Sequence, residues 1–117
     1  MKLKTNLNKL LAIAAVTAVA SFSVTAFAAM GESDVEPYLK SQGCLKCHSI
    51  EKEKKGPSFK KTAAKYKGKP EGESAVIKNI TTGPMAKFDD GSEEEHKIIE
   101  TKDAADLKTI SKWILSR

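Results

Sequence analysis

Residues that bind metals or form disulfides are scarce in this chain. Its 117 residues include only two cysteines and two histidines. A structural zinc site would need further good ligands, and His96 lies far along the chain from any other cysteine or histidine. The two cysteines are separated by only two residues, a spacing at which a structural disulfide would be strained. The scarcity therefore argues against both a structural zinc site and a structural disulfide.

The sequence also lacks the patterns of β structure. Apolar and aromatic residues never alternate with a period of two over several segments, and no strand–helix–strand order is visible. A thioredoxin-like redox pair belongs near such a βαβ unit and is therefore not favoured. Helical spacing instead predicts an all-α fold, with helices over residues 35–42, 58–67, 71–82 and 103–116.

One segment between the last two predicted helices has a different character. Asp89-Asp90-Gly91 is a turn signal, and we expect residues 85–88 and 96–99 to pair weakly across it as a short β-hairpin. Residues 93–95 are three glutamates, which we expect to form a solvated acidic run.

The N-terminus has the three regions of a secretory signal peptide. The first nine residues hold three lysines and no acid, and an apolar run over residues 10–20 follows. Ala26-Phe27-Ala28 then provides an A-x-A cleavage box. The apolar run is short for a membrane span, which takes about 20 residues. The sequence therefore predicts a signal peptide over residues 1–28, cleaved near Ala28, and a periplasmic or otherwise exported protein with no membrane span in its mature form.

Charge changes when the signal peptide is removed. The whole chain has 20 basic and 15 acidic residues, and the three lysines of the signal leave about 17 − 15 = +2 for residues 29–117. That segment has no concentrated basic stripe, which excludes nucleic acid as a partner. We expect residues 29–117 to form a single small domain and to be a monomer.

Cys44-Leu45-Lys46-Cys47-His48 is the motif that carries chemistry. Two thiols separated by two residues and followed at once by a histidine have the spacing for covalent attachment of a c-type haem. Each thiol can add to a vinyl group of the porphyrin, and His48 can supply its imidazole to the iron. The motif predicts one haem c, attached through Cys44 and Cys47, with His48 as the proximal ligand. Export agrees with this prediction, since haem is ligated to such proteins outside the cytoplasm.

These features resemble the small bacterial class I c-type cytochromes, which are soluble single-haem electron carriers. The resemblance covers most of the mature chain and includes Glu36-Pro37, Gly56-Pro57 and residues 63–69 and 112–116. It implies the cytochrome c fold, with about four helices wrapped around one covalent haem. It also implies that the Pro57 carbonyl accepts the ring N–H of His48, and that the first and last helices cross with Trp113 near the haem.

The sixth iron ligand is where the chain departs from that family. Its members usually supply a methionine about six to eight residues before the last helix. Met85 follows a proline but lies some sixteen residues before Thr101, whereas His96 lies five residues before it. We favour His96 as the distal ligand, with Met85 as the alternative and an open or water-filled site as a third option.

The expected function is electron transfer. We expect an exported monohaem cytochrome that shuttles single electrons between redox partners docking transiently at the haem edge, and that is not an enzyme. Lysines around the motif could steer acidic partners; they are Lys46, Lys52, Lys54 and Lys55. Two alternatives stay open: a haem-based sensor or peroxidase-like enzyme with an exchangeable distal site, and a cytochrome subunit of a larger oxidoreductase.

Overall fold

The computed structural model describes residues 20–21 and 28–117. Within these residues the chain forms four α-helices, one turn of 3-10 helix (Cys44–Lys46) and a two-stranded antiparallel sheet. The helices are α1 (Glu32–Ser41), α2 (Phe59–Tyr66), α3 (Gly72–Thr82) and α4 (Ala104–Leu115), and the strands are β1 (Met85–Lys87) and β2 (Glu93–Glu95). The predicted helical fold with a short hairpin is confirmed. The predicted signal peptide, residues 1–28, lies almost wholly outside the described residues.

The first helix is longer than predicted at its N-terminus. α1 begins at Glu32 because Gly31 is extended, with φ −76° and ψ 157°, and its N–H donates to the Asp34 carboxylate at 3.3 Å. The helix ends before Gly43, whose φ of 79° lies in the left-handed region that glycine adopts without strain. That turn directs the chain straight into the 3-10 turn at Cys44–Lys46.

Two helices begin at side chains that satisfy their free N–H groups. The Ser58 hydroxyl accepts the N–H of Lys61 at 3.1 Å at the start of α2. The Asp103 carboxylate accepts the N–H groups of Ala105 and Asp106 at 2.9 and 3.1 Å at the start of α4. Such caps fix where a helix starts, because the first-turn N–H groups have no partner within the helix.

The apolar core lies between α4 and the other three helices. α4 packs against α1, α2 and α3. Val35 of α1 and Ile110 of α4 are fully buried, and Phe59 of α2 meets Trp113 edge-on with ring centroids 5.8 Å apart. Each such side chain contributes about 1.5–3 kcal/mol by leaving water. The core therefore holds the first and last helices together, as the resemblance implied.

The hairpin pairs differently from the prediction. Met85 faces Glu95, and Lys87 faces Glu93, so the second strand is the glutamate run and not residues 96–99. The register follows from a tight turn, since Gly91 has φ 81° and the N–H of Phe88 donates to the Ser92 carbonyl at 2.9 Å. A turn closed that early leaves residues 93–95 opposite β1. The three glutamates are exposed, as expected of a solvated acidic run, but they form the second strand.

We expect Asp103→Ala to lower the free energy of unfolding by about 1 kcal/mol, because two N–H groups of α4 lose their acceptor. Urea unfolding followed by circular dichroism measures the change. Asp103→Asn keeps a side-chain oxygen at the same position and should retain most of the stability. Equal loss in both variants would contradict a capping role and indicate a purely electrostatic one.

Candidate functional site

A cavity of about 350 Å³ lies between the helices and the hairpin. Cys44, Cys47 and His48 line it, and so does His96. Apolar side chains form much of the remaining wall; they are Leu39, Phe59, Val76, Ile80 and Ile114. The volume lies within the range of about 300–1,000 Å³ for small-molecule and cofactor sites. The structure thus places the whole CxxCH motif against an apolar cavity.

Hydrogen bonding sets the tautomer of His48. Its Nδ1 lies 2.6 Å from the Pro57 carbonyl oxygen, which can only accept, so Nδ1 carries the proton and Nε2 keeps its lone pair. Phe59 stacks on the ring with centroids 5.4 Å apart and an interplanar angle of 21°. Burial lowers the pKa of His48, against the opposing effect of the bond to Pro57. The ring is therefore held neutral and oriented, as a metal ligand must be.

The two thiols lie on one turn of chain. The N–H of His48 donates to the Cys44 carbonyl at 3.0 Å, which brings the histidine back over the first cysteine. Both cysteines are partly buried and free of disulfide bonding. Burial raises the pKa of the Cys44 thiol, partly offset by its own backbone hydrogen bond. This arrangement leaves two thiols and one imidazole beside the same cavity.

His96 lines the same cavity and lies close to His48. Its ring centroid lies 6.0 Å from that of His48, with an interplanar angle of 48°. Its Nδ1 donates to the carbonyl of Lys97 at 3.0 Å, so Nε2 is again the nitrogen with a free lone pair. With metal–nitrogen bonds of about 2 Å, two imidazoles on opposite sides of one metal ion have ring centres roughly 6 Å apart. The structure thus brings the two histidines into an arrangement suited to sharing one ion.

The other predicted site residues lie at different distances from the cavity. Met85 is 57% exposed on β1 and is not among the residues that line the cavity. Pro57 lines the cavity and bonds to His48 through its carbonyl. Trp113 is buried and does not line the cavity; its ring meets Phe59, whose ring stacks on His48.

Gly56 is a site residue that the sequence reasoning missed. A Cβ atom there would lie 2.8 Å from Cε1 and 3.1 Å from Nδ1 of His48. The backbone can therefore approach the imidazole only because this residue has no side chain. The Gly-Pro pair was a visible signal, but nothing in the sequence showed that the glycine would contact the ring.

The residues around the cavity fit a haem c. Two thiols lie beside a neutral, oriented imidazole, a second imidazole has its ring centroid 6.0 Å from the first, and much of the wall is apolar. Cys44 and Cys47 would hold the porphyrin covalently, and His48 would ligate the iron. Within the described residues no three His, Cys, Asp or Glu side chains form a metal-binding group of their own.

Comparisons with known proteins agree with this chemistry. The family described as Cytochrome c matches residues 38–117. Cytochrome c-551 of Azotobacter vinelandii is 30% identical over 81 residues, which cover 69% of this chain and 94% of that protein. Cytochrome c-551 of Pseudomonas aeruginosa is 27% identical over 84 residues, which cover 72% of this chain and 77% of that protein.

Solved structures show the same likeness. The class 1 cytochrome MtoD from Sideroxydans lithotrophicus ES-1 is 44% identical, with a TM-score of 0.69, over 75% of this chain and 97% of that chain. Cytochrome c552 from Nitrosomonas europaea is 26% identical, with a TM-score of 0.56, over 69% of this chain and 96% of that chain. The helices and the cavity between them therefore follow the cytochrome c fold.

We expect Gly56→Ala to disturb His48, because the added Cβ would displace the ring that bonds to Pro57. Overpacking of this kind costs about 1–3 kcal/mol of stability. A weaker bond at Nδ1 also makes the ligand less basic, so the midpoint potential of the haem-loaded protein should rise. Urea unfolding and a redox titration measure the two effects.

Gly31→Ala is the matched control for this variant. Its nearest contact is the Asp34 carboxylate oxygen at 3.2 Å, the end of an exposed side chain that can move. We expect a stability change within about 0.5 kcal/mol and an unchanged potential. An unchanged potential in Gly56→Ala as well would show that the glycine does not control the ring.

Proposed function

Because the chain belongs to the cytochrome c family, and is thus a monohaem electron-transfer protein, we propose that His48 and His96 ligate its iron from opposite faces. The haem, when bound, supplies a one-electron couple between ferric and ferrous iron. A second imidazole in place of a thioether lowers the potential of that couple. The protein is therefore proposed as a low-potential carrier of single electrons.

The observation that carries the proposal is the arrangement of the two rings. Their centroids are 6.0 Å apart, and each ring donates its Nδ1 proton to a backbone carbonyl, Pro57 for His48 and Lys97 for His96. Both rings therefore have Nε2 available for a metal, which is the usual state of a ligating histidine. Met85 lacks comparable support, because it is 57% exposed on the outside of the hairpin.

Two fixed ligands leave no open position at the iron. With His48 and His96 both bound, a substrate or gas would have to displace one ring, so we propose a carrier and not an enzyme. Apolar side chains form much of the wall around the rings. Rings held by backbone hydrogen bonds move little between oxidation states, which favours fast electron transfer.

We propose that the carrier acts outside the cytoplasm. The signal expected over residues 1–28 and the covalent haem attachment both support export. The first helix in the described part of the chain, α1, starts at Glu32, shortly after the expected cleavage site. Among the described residues, no helix is both long enough and apolar enough to cross a membrane.

The mouth of the cavity is the proposed docking site for redox partners. Three lysines line the cavity, and two of them pair with acids of β2: Lys55 with Glu94, and Lys87 with Glu93. Lys97, also at the cavity, has no ion pair within the described part of the chain. A partner with an acidic surface would therefore meet this charge near the haem edge.

The test of the distal ligand is a pair of substitutions in the haem-loaded protein. We expect His96→Ala to convert the low-spin optical spectrum to a high-spin one, because one ligand is lost. Met85→Leu should leave the spectrum low-spin, since its side chain lies outside the cavity. A far-red charge-transfer band of ferric iron with sulfur, lost in Met85→Leu, would overturn the assignment. A high-spin spectrum of the wild-type protein would instead favour the interpretation as a haem-based sensor or a peroxidase-like enzyme.

Electron transfer to ferricyanide, an anionic oxidant, tests the docking surface. We expect Lys97→Gln to slow the reaction about two- to threefold at low ionic strength, and by much less above about 0.5 M salt. Lys69→Gln is the control, because it removes the same charge from the exposed turn between α2 and α3. Equal slowing in both variants would point to net charge instead of a local docking site.

A further inference from the structure

The segment that carries His96 has little secondary structure of its own. Residues 96–101, here called the distal segment, form neither helix nor strand. The N–H of His96 donates to the Pro84 carbonyl at 2.9 Å, and the N–H of Ile99 donates to the Ile80 carbonyl at 3.0 Å. Ile99 is also 1% exposed and belongs to the core. These contacts hold the segment to the end of α3 but leave its last residues to be fixed from elsewhere.

Two side chains of the first helix contribute to the anchoring, in addition to the Asp106 carboxylate of α4, which accepts a hydrogen bond from the Thr101 hydroxyl at 3.0 Å. The Tyr38 hydroxyl accepts the N–H of Thr101 at 2.9 Å. The Gln42 side-chain oxygen accepts the N–H of Glu100, also at 2.9 Å. Tyr38 and Gln42 lie one turn apart on the same side of α1 and its C-cap, so they bind consecutive N–H groups of the distal segment.

The C-terminal end of α1 contacts the distal segment and also leads into the turn that carries the cysteines. Gln42 is the C-cap of α1, and the chain passes from it through Gly43 directly into Cys44. The same end of α1 therefore starts the turn that holds the thiols and binds the segment that carries His96. A displaced distal segment would leave both backbone N–H groups without these acceptors, which opposes movement of the ring away from the cavity.

We propose that Tyr38 and Gln42 are positioning residues that keep His96 on the iron. The inference rests on the proposed function, because it takes His96 as the distal ligand. Neither residue is among those that line the cavity; each acts through the backbone of the distal segment. Loss of both acceptors should let His96 leave the iron more often, while His48 and the thioether attachments stay in place.

Binding of carbon monoxide to the reduced, haem-loaded protein measures how often the distal position opens. We expect Tyr38→Phe and Gln42→Met each to speed binding about threefold, and the double variant about tenfold or more. Gln42→Glu keeps an acceptor oxygen and should bind at close to the wild-type rate. Tyr66→Phe removes a hydroxyl from a half-buried tyrosine that packs against Gly72, and should change nothing.

The outcomes separate this inference from the ligand assignment. If His96→Ala binds carbon monoxide no faster than wild type, the distal assignment itself fails. If His96→Ala binds fast while Tyr38→Phe and Gln42→Met match wild type, only the positioning role is overturned. A lower urea midpoint in those variants without faster binding would also overturn it, because a merely structural role predicts that result. Should the double variant not fold, the two single variants decide.

Discussion

Two imidazole rings that face each other across one cavity impose the constraint on which the rest of the structure depends. Under the proposed ligation of one iron by both rings, metal–nitrogen bonds of about 2 Å leave little tolerance in the distance between the rings. His48 is fixed by the Pro57 carbonyl and by the stacked ring of Phe59. The backbone of His96 is held by a hydrogen bond from its N–H to the Pro84 carbonyl. The helices serve mainly to bring these separate anchors to one place, with α4 packed behind all of them.

The helices and the haem motif could be predicted because both are local patterns. α2, α3 and α4 begin and end within one residue of the predicted bounds. The CxxCH motif, residues 44–48, indicates covalent haem attachment from only five consecutive residues. The partner strand of the hairpin could not be predicted, since its register depends on where the turn closes. A hydrogen bond between Phe88 and Ser92 closes it early and puts the glutamates opposite β1.

Contacts between residues far apart in the sequence could not be predicted either. Counting residues before the last helix left His96 and Met85 both open, because the loop is longer than in the family. Folding separates them, since β1 holds Met85 outward while the distal segment turns His96 toward the cavity. The role of Gly56 depends on an imidazole that approaches from eight residues earlier in the chain. Neither fact leaves a periodic or compositional trace.

The hairpin also bears on how copies of the protein behave toward one another. Within the described residues, its two strands leave both outer edges without a neighbouring strand, and such edges can pair with another chain. Every residue of β2 is a glutamate, and all three are exposed. A second copy aligned along that edge would set like charges directly opposite, which is unfavourable. The acidic strand thereby disfavours pairing of two copies of the protein along that edge.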